Sequence, residues 1–162
     1  GVKKNIGVLL LIGVLFLMNS CSLFGQERMQ DIDLPLKKMN DKLKLSAPTE
    51  LSSFKIGDDL GLVLTNLSDE TIVLPQDYGV HIYQNVDNQW EAVENRIDYG
   101  EGEKVMLAEN HQPFRDAIVV VTPLVFSDQP VKIRVVIVGQ YQKSNGKMGG
   151  DVGAYIDITL QP

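Results

Sequence analysis

LGLVLTNLSDETIVLP, residues 60–75, decides the fold. Leu60, Leu62 and Leu64 recur every second position, which turns them to one face of a strand and no common face of a helix. Asn66, Ser68 and Asp69 then supply the short polar side chains that bond their own backbone in turns. A second apolar run, Thr71 to Leu74, follows at once, and Pro75 closes it. This order predicts a hairpin of two strands.

The same period of two continues on both sides. Leu43, Leu45 and Ala47 alternate before Pro48. Downstream, Val80 and Ile82, the run QWEAVE at 89–94, KVML at 104–107, AIVVV at 117–121, VKIRVVIV at 131–138 and AYIDITL at 154–160 are each strand-like. In the last of these, Ile156, Ile158 and Leu160 oppose Tyr155, Asp157 and Thr159, the pattern of a half-buried strand. No helical period competes after residue 46. Eight or nine strands in roughly 115 residues, without a repeat of 20–50 residues, predict an all-β antiparallel sandwich rather than a solenoid or propeller, with a barrel as the alternative. The segments LGLVLTNLSDETIVLP, Trp90-Glu-Ala-Val-Glu-Asn, Arg134-Val-Val-Ile-Val-Gly and Gly153-Ala-Tyr-Ile-Asp-Ile-Thr-Leu resemble immunoglobulin-like and fibronectin-like bacterial surface domains. They are also similar to small protease-inhibitor sandwiches. The resemblance implies an immunoglobulin-like sandwich of about 7–9 strands over 46–162. The chain has one Cys, so no disulfide within it can join the sheets, and core burial has to hold them.

Composition agrees: 162 residues, 44% hydrophobic and 22% charged, suit one globular domain and exclude a disordered or collagenous chain. The apolar residues are concentrated at the start. Lys3 and Lys4 precede an uncharged run, Ile6 to Met18 (IGVLLLIGVLFLM), and then Asn19-Ser20-Cys21. A basic region, an apolar stretch too short to span a bilayer and a small residue make a secretory signal. Leu17-Met18-Asn19-Ser20-Cys21 resembles a bacterial lipoprotein lipobox. Ser20 and Cys21 match its last two positions, and Met18 and Asn19 depart from it. The resemblance implies cleavage after Ser20 and a covalent lipid on Cys21, with no other cofactor. Gly1 stands where an initiator Met is expected, which reads as an altered or tagged start.

Residues 22–45 carry Gly25, Pro35 and charges of both signs, and they read as a tether between the anchor and the domain. Removing residues 1–21 takes away Lys3 and Lys4 and no acid, leaving 13 basic against 21 acidic residues, a net charge of −8. That balance argues against a nucleic-acid partner.

Chemistry-bearing constellations are sparse. His81 lies in a strand between Val80 and Ile82 and reads as facing away from them, whereas His111 reads as a polar turn residue in Glu109-Asn-His-Gln-Pro113. No paired His or Cys spacing supports a metal site, and Asp58-Asp59, Asp69-Glu70 and Glu101-Gly-Glu103 read as turn solvation. The aromatic residues Tyr78, Tyr83, Trp90 and Tyr99 are the candidate contacts for a protein or glycan partner. Trp90 reads more simply as the core tryptophan of the sandwich. The expected protein is therefore an exported, lipid-anchored module of the cell envelope that binds and does not catalyse, its membrane contact made through the acylated Cys21. The alternative is a protease inhibitor acting through loops at 98–104 and 142–151, both long and glycine-rich.

Overall fold

The structure, a computed structural model, describes residues 29, 31–48, 53–107 and 114–162. These form nine strands in two antiparallel sheets. The strands are β1 (Leu43–Ser46), β2 (Leu60–Asn66), β3 (Thr71–Leu74), β4 (Val80–Val86), β5 (Gln89–Val93), β6 (Lys104–Met106), β7 (Asp116–Val121), β8 (Val131–Gln142) and β9 (Met148–Leu160). The expected all-β sandwich is what the chain adopts.

The smaller sheet has the order β1-β2-β7. The larger is built around β8. One edge of β8 takes β4 along residues 133–137 and then β3 along 140–142, and its other edge takes β9. β5 extends the sheet beyond β4, and β6 extends it beyond β3. The two sheets face each other across one core, in which Leu43, Leu45, Leu60, Leu62, Leu64, Val119 and Val121 of the small sheet meet Ile72, Leu74, Ile82, Ile133, Val135, Ile137, Ala154, Ile158 and Leu160 of the large one. Each large side chain so buried contributes about 1.5–3 kcal/mol, which is how the sandwich holds without a disulfide.

The structure differs from the sequence reading in three places. β2 and β3 are not a hairpin: β2 pairs with β1 and β7, whereas β3 pairs with β6 and β8. The residues between them form a corner that carries the chain from one sheet to the other. Asn66, fully buried, holds that corner. Its Nδ2 donates to the carbonyls of Glu70 (2.8 Å) and Leu107 (2.9 Å), and its Oδ1 accepts from the Ser68 amide (2.9 Å) and hydroxyl (2.7 Å). Turn residues there are real, but their bonds serve a crossover.

The second difference is at the expected loop 142–151. β8 runs to Gln142 and β9 starts at Met148, so only residues 143–147 connect them. That turn is closed by Lys143 N–H to the Lys147 carbonyl (2.9 Å) and Gly146 N–H to the Lys143 carbonyl (2.8 Å).

The third concerns the expected tether. Met29 and residues 31–40 lie on the outer face of the large sheet, so the packed body begins well before residue 46. Met29, Ile32 and Met39 are buried there with Tyr83 and Val136, and Leu34 and Leu36 pack beside them against Trp90, Val138 and Tyr155. A single 3-10 turn, Leu36–Lys38, follows Pro35. Asn40, at φ +66°, then fastens the segment to the edge of β9: its amide donates to the Gly153 carbonyl (3.0 Å), and its Oδ1 accepts from the Tyr155 amide (2.9 Å). Spaced at 29, 32, 34, 36 and 39, these apolar residues fit neither a helix nor a strand, which is why their pattern reads as a spacer. We call this segment the strap.

Candidate functional site

The outer face of the large sheet is made by side chains that alternate with the core set: Tyr83 and His81 on β4, Arg134, Val136, Val138 and Gln140 on β8, and Gly153, Tyr155 and Asp157 on β9. The strap covers the middle of this face. Toward the β3 end the face stays open as a groove of about 420 Å³, within the roughly 300–1,000 Å³ of small-ligand sites.

The groove exists because β3 and β4 diverge along one edge of β8. The residues between them, Pro75 to Gly79, form a turn in which Asp77 Oδ1 accepts the Gly79 amide (2.9 Å) and the Tyr78 amide donates to the Pro75 carbonyl (2.9 Å). Gly79 stands at φ +65°, and a Cβ there would meet the Val138 carbonyl oxygen at 2.0 Å. Only glycine lets the turn lie this close to β8. Val73, Leu74, Pro75, Val138 and Met148 give the groove apolar walls. Asp77, Glu103, Asp151, His81 and Gln140 add its polar groups. Asp151 accepts weakly from Gln140 Nε2 (3.3 Å), and among the described residues none of the three carboxylates has an ion-pair partner. Negative charge above an apolar floor suits a group that brings N–H or O–H donors on an apolar stem.

Of the candidate contact residues, Tyr78 and Tyr99 come together beside this groove. Their rings meet edge to face, centroids 5.2 Å apart at 72°, and Lys104 Nζ lies 5.6 Å from the Tyr78 ring. Both rings are half-buried against the core. The Tyr99 hydroxyl donates to the Val120 carbonyl (2.6 Å) and accepts from Asn95 Nδ2 (2.8 Å), tying the 94–103 segment to β7. Burial raises the Tyr99 pKa, Asp77 and Tyr78 add to the rise, and the Asn95 bond opposes it. The pair is thus a buttress behind the groove.

Tyr83 does not reach the surface. It is 2% exposed beneath the strap, and burial, with Asp31 adding, pushes its pKa up to about 12. Trp90 is not the core tryptophan either. It lies on β5, an edge strand, and points to the outer face because Asn85 of β4 opposes it and Val93 of the same strand takes the inner side. There it forms one wall of a stack: the Arg134 guanidinium lies 4.3 Å from the Trp90 ring and 4.9 Å from the Tyr155 ring. Asp157 grips the same guanidinium with Nε–Oδ1 at 2.7 Å and Nη2–Oδ2 at 2.9 Å. A cation flanked by two rings and paired with a carboxylate can remain buried, at 6% exposed.

His81 opens onto the groove from the outer face, as its alternation with Ile82 predicts. His111, Ser20, Cys21 and the whole of 1–28 lie outside the described residues. Among the described residues no three or more His, Cys, Asp or Glu side chains are grouped to hold a metal ion, and no helix is long and apolar enough to cross a membrane. The groove itself was invisible in the sequence. Its polar residues are scattered from Asp77 to Asp151 over a turn, a loop and three strands, and the one local signal was the turn glycine Gly79. Comparison of the chain with protein-family models, with curated proteins and with solved structures finds no match in any of the three.

Proposed function

We propose that this chain is an envelope lipoprotein, acylated at Cys21, whose β-sandwich is a non-catalytic binding module that engages its partner at the groove between β3, β4 and β8. The observation that carries the reading is the position of the one cysteine in the chain, at the end of the charge-then-apolar run that opens the sequence. Two acyl chains at about 0.8 kcal/mol per buried methylene make such an attachment stable. The groove supports the binding half of the proposal, since it joins apolar walls to three carboxylates that have no ion-pair partner among the described residues.

Intact mass of the chain expressed in a bacterium tests the anchor. The expected product starts at Cys21 and carries acyl mass, and Cys21→Ala loses both; an uncleaved or unacylated product overturns the reading. The binding half is tested by cross-linking in cells with Glu103→Gln and Asp151→Asn combined. The partner adduct is expected to fall with the loss of the two charges, and an unchanged adduct moves the contact elsewhere on the domain. The inhibitor alternative relied on loops at 98–104 and 142–151; residues 98–103 do lie outside strands, whereas of the second loop only 143–147 does. Stoichiometric inhibition in a protease titration would restore it.

A further inference from the structure

We infer that the strap holds the domain close to the membrane that carries it. The inference rests on the lipid anchor proposed above and adds to it a distance. Were residues 22–42 a free tether, the first strand residue, Leu43, could stand about 75 Å from the acylated cysteine, at roughly 3.3–3.6 Å per residue. The strap removes most of that length. From Cys21 to Met29 there are only eight residue steps, or about 28 Å of chain at full extension. A domain of this size has a radius of gyration of about 14 Å and a diameter near 35–40 Å, so every point on it lies within about 65 Å of the lipid.

Three features make the strap a seated element. Five apolar side chains, Met29, Ile32, Leu34, Leu36 and Met39, pack on Tyr83, Val136, Val138, Trp90 and Tyr155. Asn40 closes the far end with two backbone-directed bonds on β9. The sheet beneath is cut to receive it: a Cβ on Gly153 would come 3.0 Å from Leu34 Cδ2 and 3.4 Å from Met39 Cγ. A sequence serving only as a spacer has no use for this complementarity. Charge does not do the same work, because a domain of net charge −8 is repelled by anionic lipid. Val138 joins the two features: it packs with the strap residues on one side and lines the groove on the other. The same strap therefore sets the standing height of the domain and lies beside the groove, with Val138 between them.

Trp90, the only tryptophan, is a built-in donor for energy transfer to dansyl-labelled lipid in phosphatidylcholine vesicles bearing the acylated protein. Two variants lengthen the reach by different means. A flexible insertion of about twelve Gly and Ser residues after Ser22 leaves the strap intact, and Ile32→Asp with Met39→Asp unseats it. Transfer is expected to fall by roughly half in each, with strand content by circular dichroism unchanged. Equal transfer in parent and insertion variant overturns the inference. Hydrogen exchange on the same samples gives a readout that needs no lipid. Residues 31–40 are expected to be protected in the parent and in the insertion variant and exposed in the double substitution, and an unprotected strap in the parent also overturns the inference. If the intact mass shows no acyl group and the protein does not float with vesicles, the anchor reading fails instead, and the exchange data still decide whether the strap is seated.

Discussion

Asn66 shows how much one buried amide can organise. It serves carbonyls and donors of a corner, and removing its side chain leaves the buried Ser68 amide and hydroxyl and the part-buried carbonyls of Glu70 and Leu107 without that partner. Asn66→Ala is expected to cost about 3 kcal/mol in urea unfolding, since each unsatisfied buried polar group costs about 1–3 kcal/mol. Tyr83 gives a pH signature. Its pKa in the folded protein, about 12, is above the ordinary value of 10.0, so the native state holds the phenolic proton more tightly than the unfolded chain does. The resulting stabilisation is complete below the ordinary value and is lost as pH rises through about 12. Denaturation midpoints measured across that window should fall in the parent, and Tyr83→Phe should remove this group's share of the fall. The sequence marks Tyr83 only as an aromatic residue in a strand. Its burial depends on a strap contributed from residues some fifty positions upstream, which no local pattern reports.

At the scale of elements, the central fact is that β8 accepts two strands end to end on one edge. Gly139 makes the inner side of that arrangement possible. A Cβ there would lie 2.6 Å from Leu74 Cδ2 and 2.8 Å from the Val73 carbonyl, both on β3. Gly139→Ala is expected to destabilise the protein by about 1–3 kcal/mol, measured by chemical unfolding, because β3 must move away from β8 to admit the methyl. The strap is the other element with a distinct energetic behaviour. It crosses the sheet without joining it, so it can open while the sandwich stays closed. Met39→Ala should accordingly speed hydrogen exchange across residues 31–40 more than in β8. Equal acceleration in both would mean that strap and sheet open as one unit. The nine strands were legible from apolar residues that recur with period two, as in β2, or from short continuous apolar runs, as in β3 and β7. Their pairing was less so. The corner at 66–70 carries hairpin-like residues, and only the placement of β2 and β3 in different sheets distinguishes it from a hairpin.

For the whole molecule, two clusters of buried side chains on opposite faces of one sheet imply two stages of unfolding. The core between the sheets includes residues from eight strands and should melt cooperatively. The outer cluster contains Trp90 and depends on the strap. Trp90 fluorescence is therefore expected to change at lower denaturant than the strand signal in circular dichroism, and coincident transitions would place the strap within the cooperative unit. The groove belongs to this scale as well. It is bounded by residues of β3, β4, β8 and β9 and by the turn between β3 and β4, and its carboxylates come from positions 77, 103 and 151.

The sequence by itself determined that this is an all-β chain with no disulfide within it and located its strand segments, though not the long ends of β8 and β9. It also placed the one cysteine just after an uncharged apolar run. These are local or compositional properties, carried by spacing, turn residues and counts. Only the tertiary structure decided which strands share a sheet, that residues 29 and 31–40 cover one face, that Trp90 flanks Arg134 on the outside of the sandwich, and that Asp77, Glu103 and Asp151 meet at one groove. Those outcomes depend on contacts between residues far apart in the chain, where a side chain's surroundings are fixed by packing and not by its neighbours in sequence.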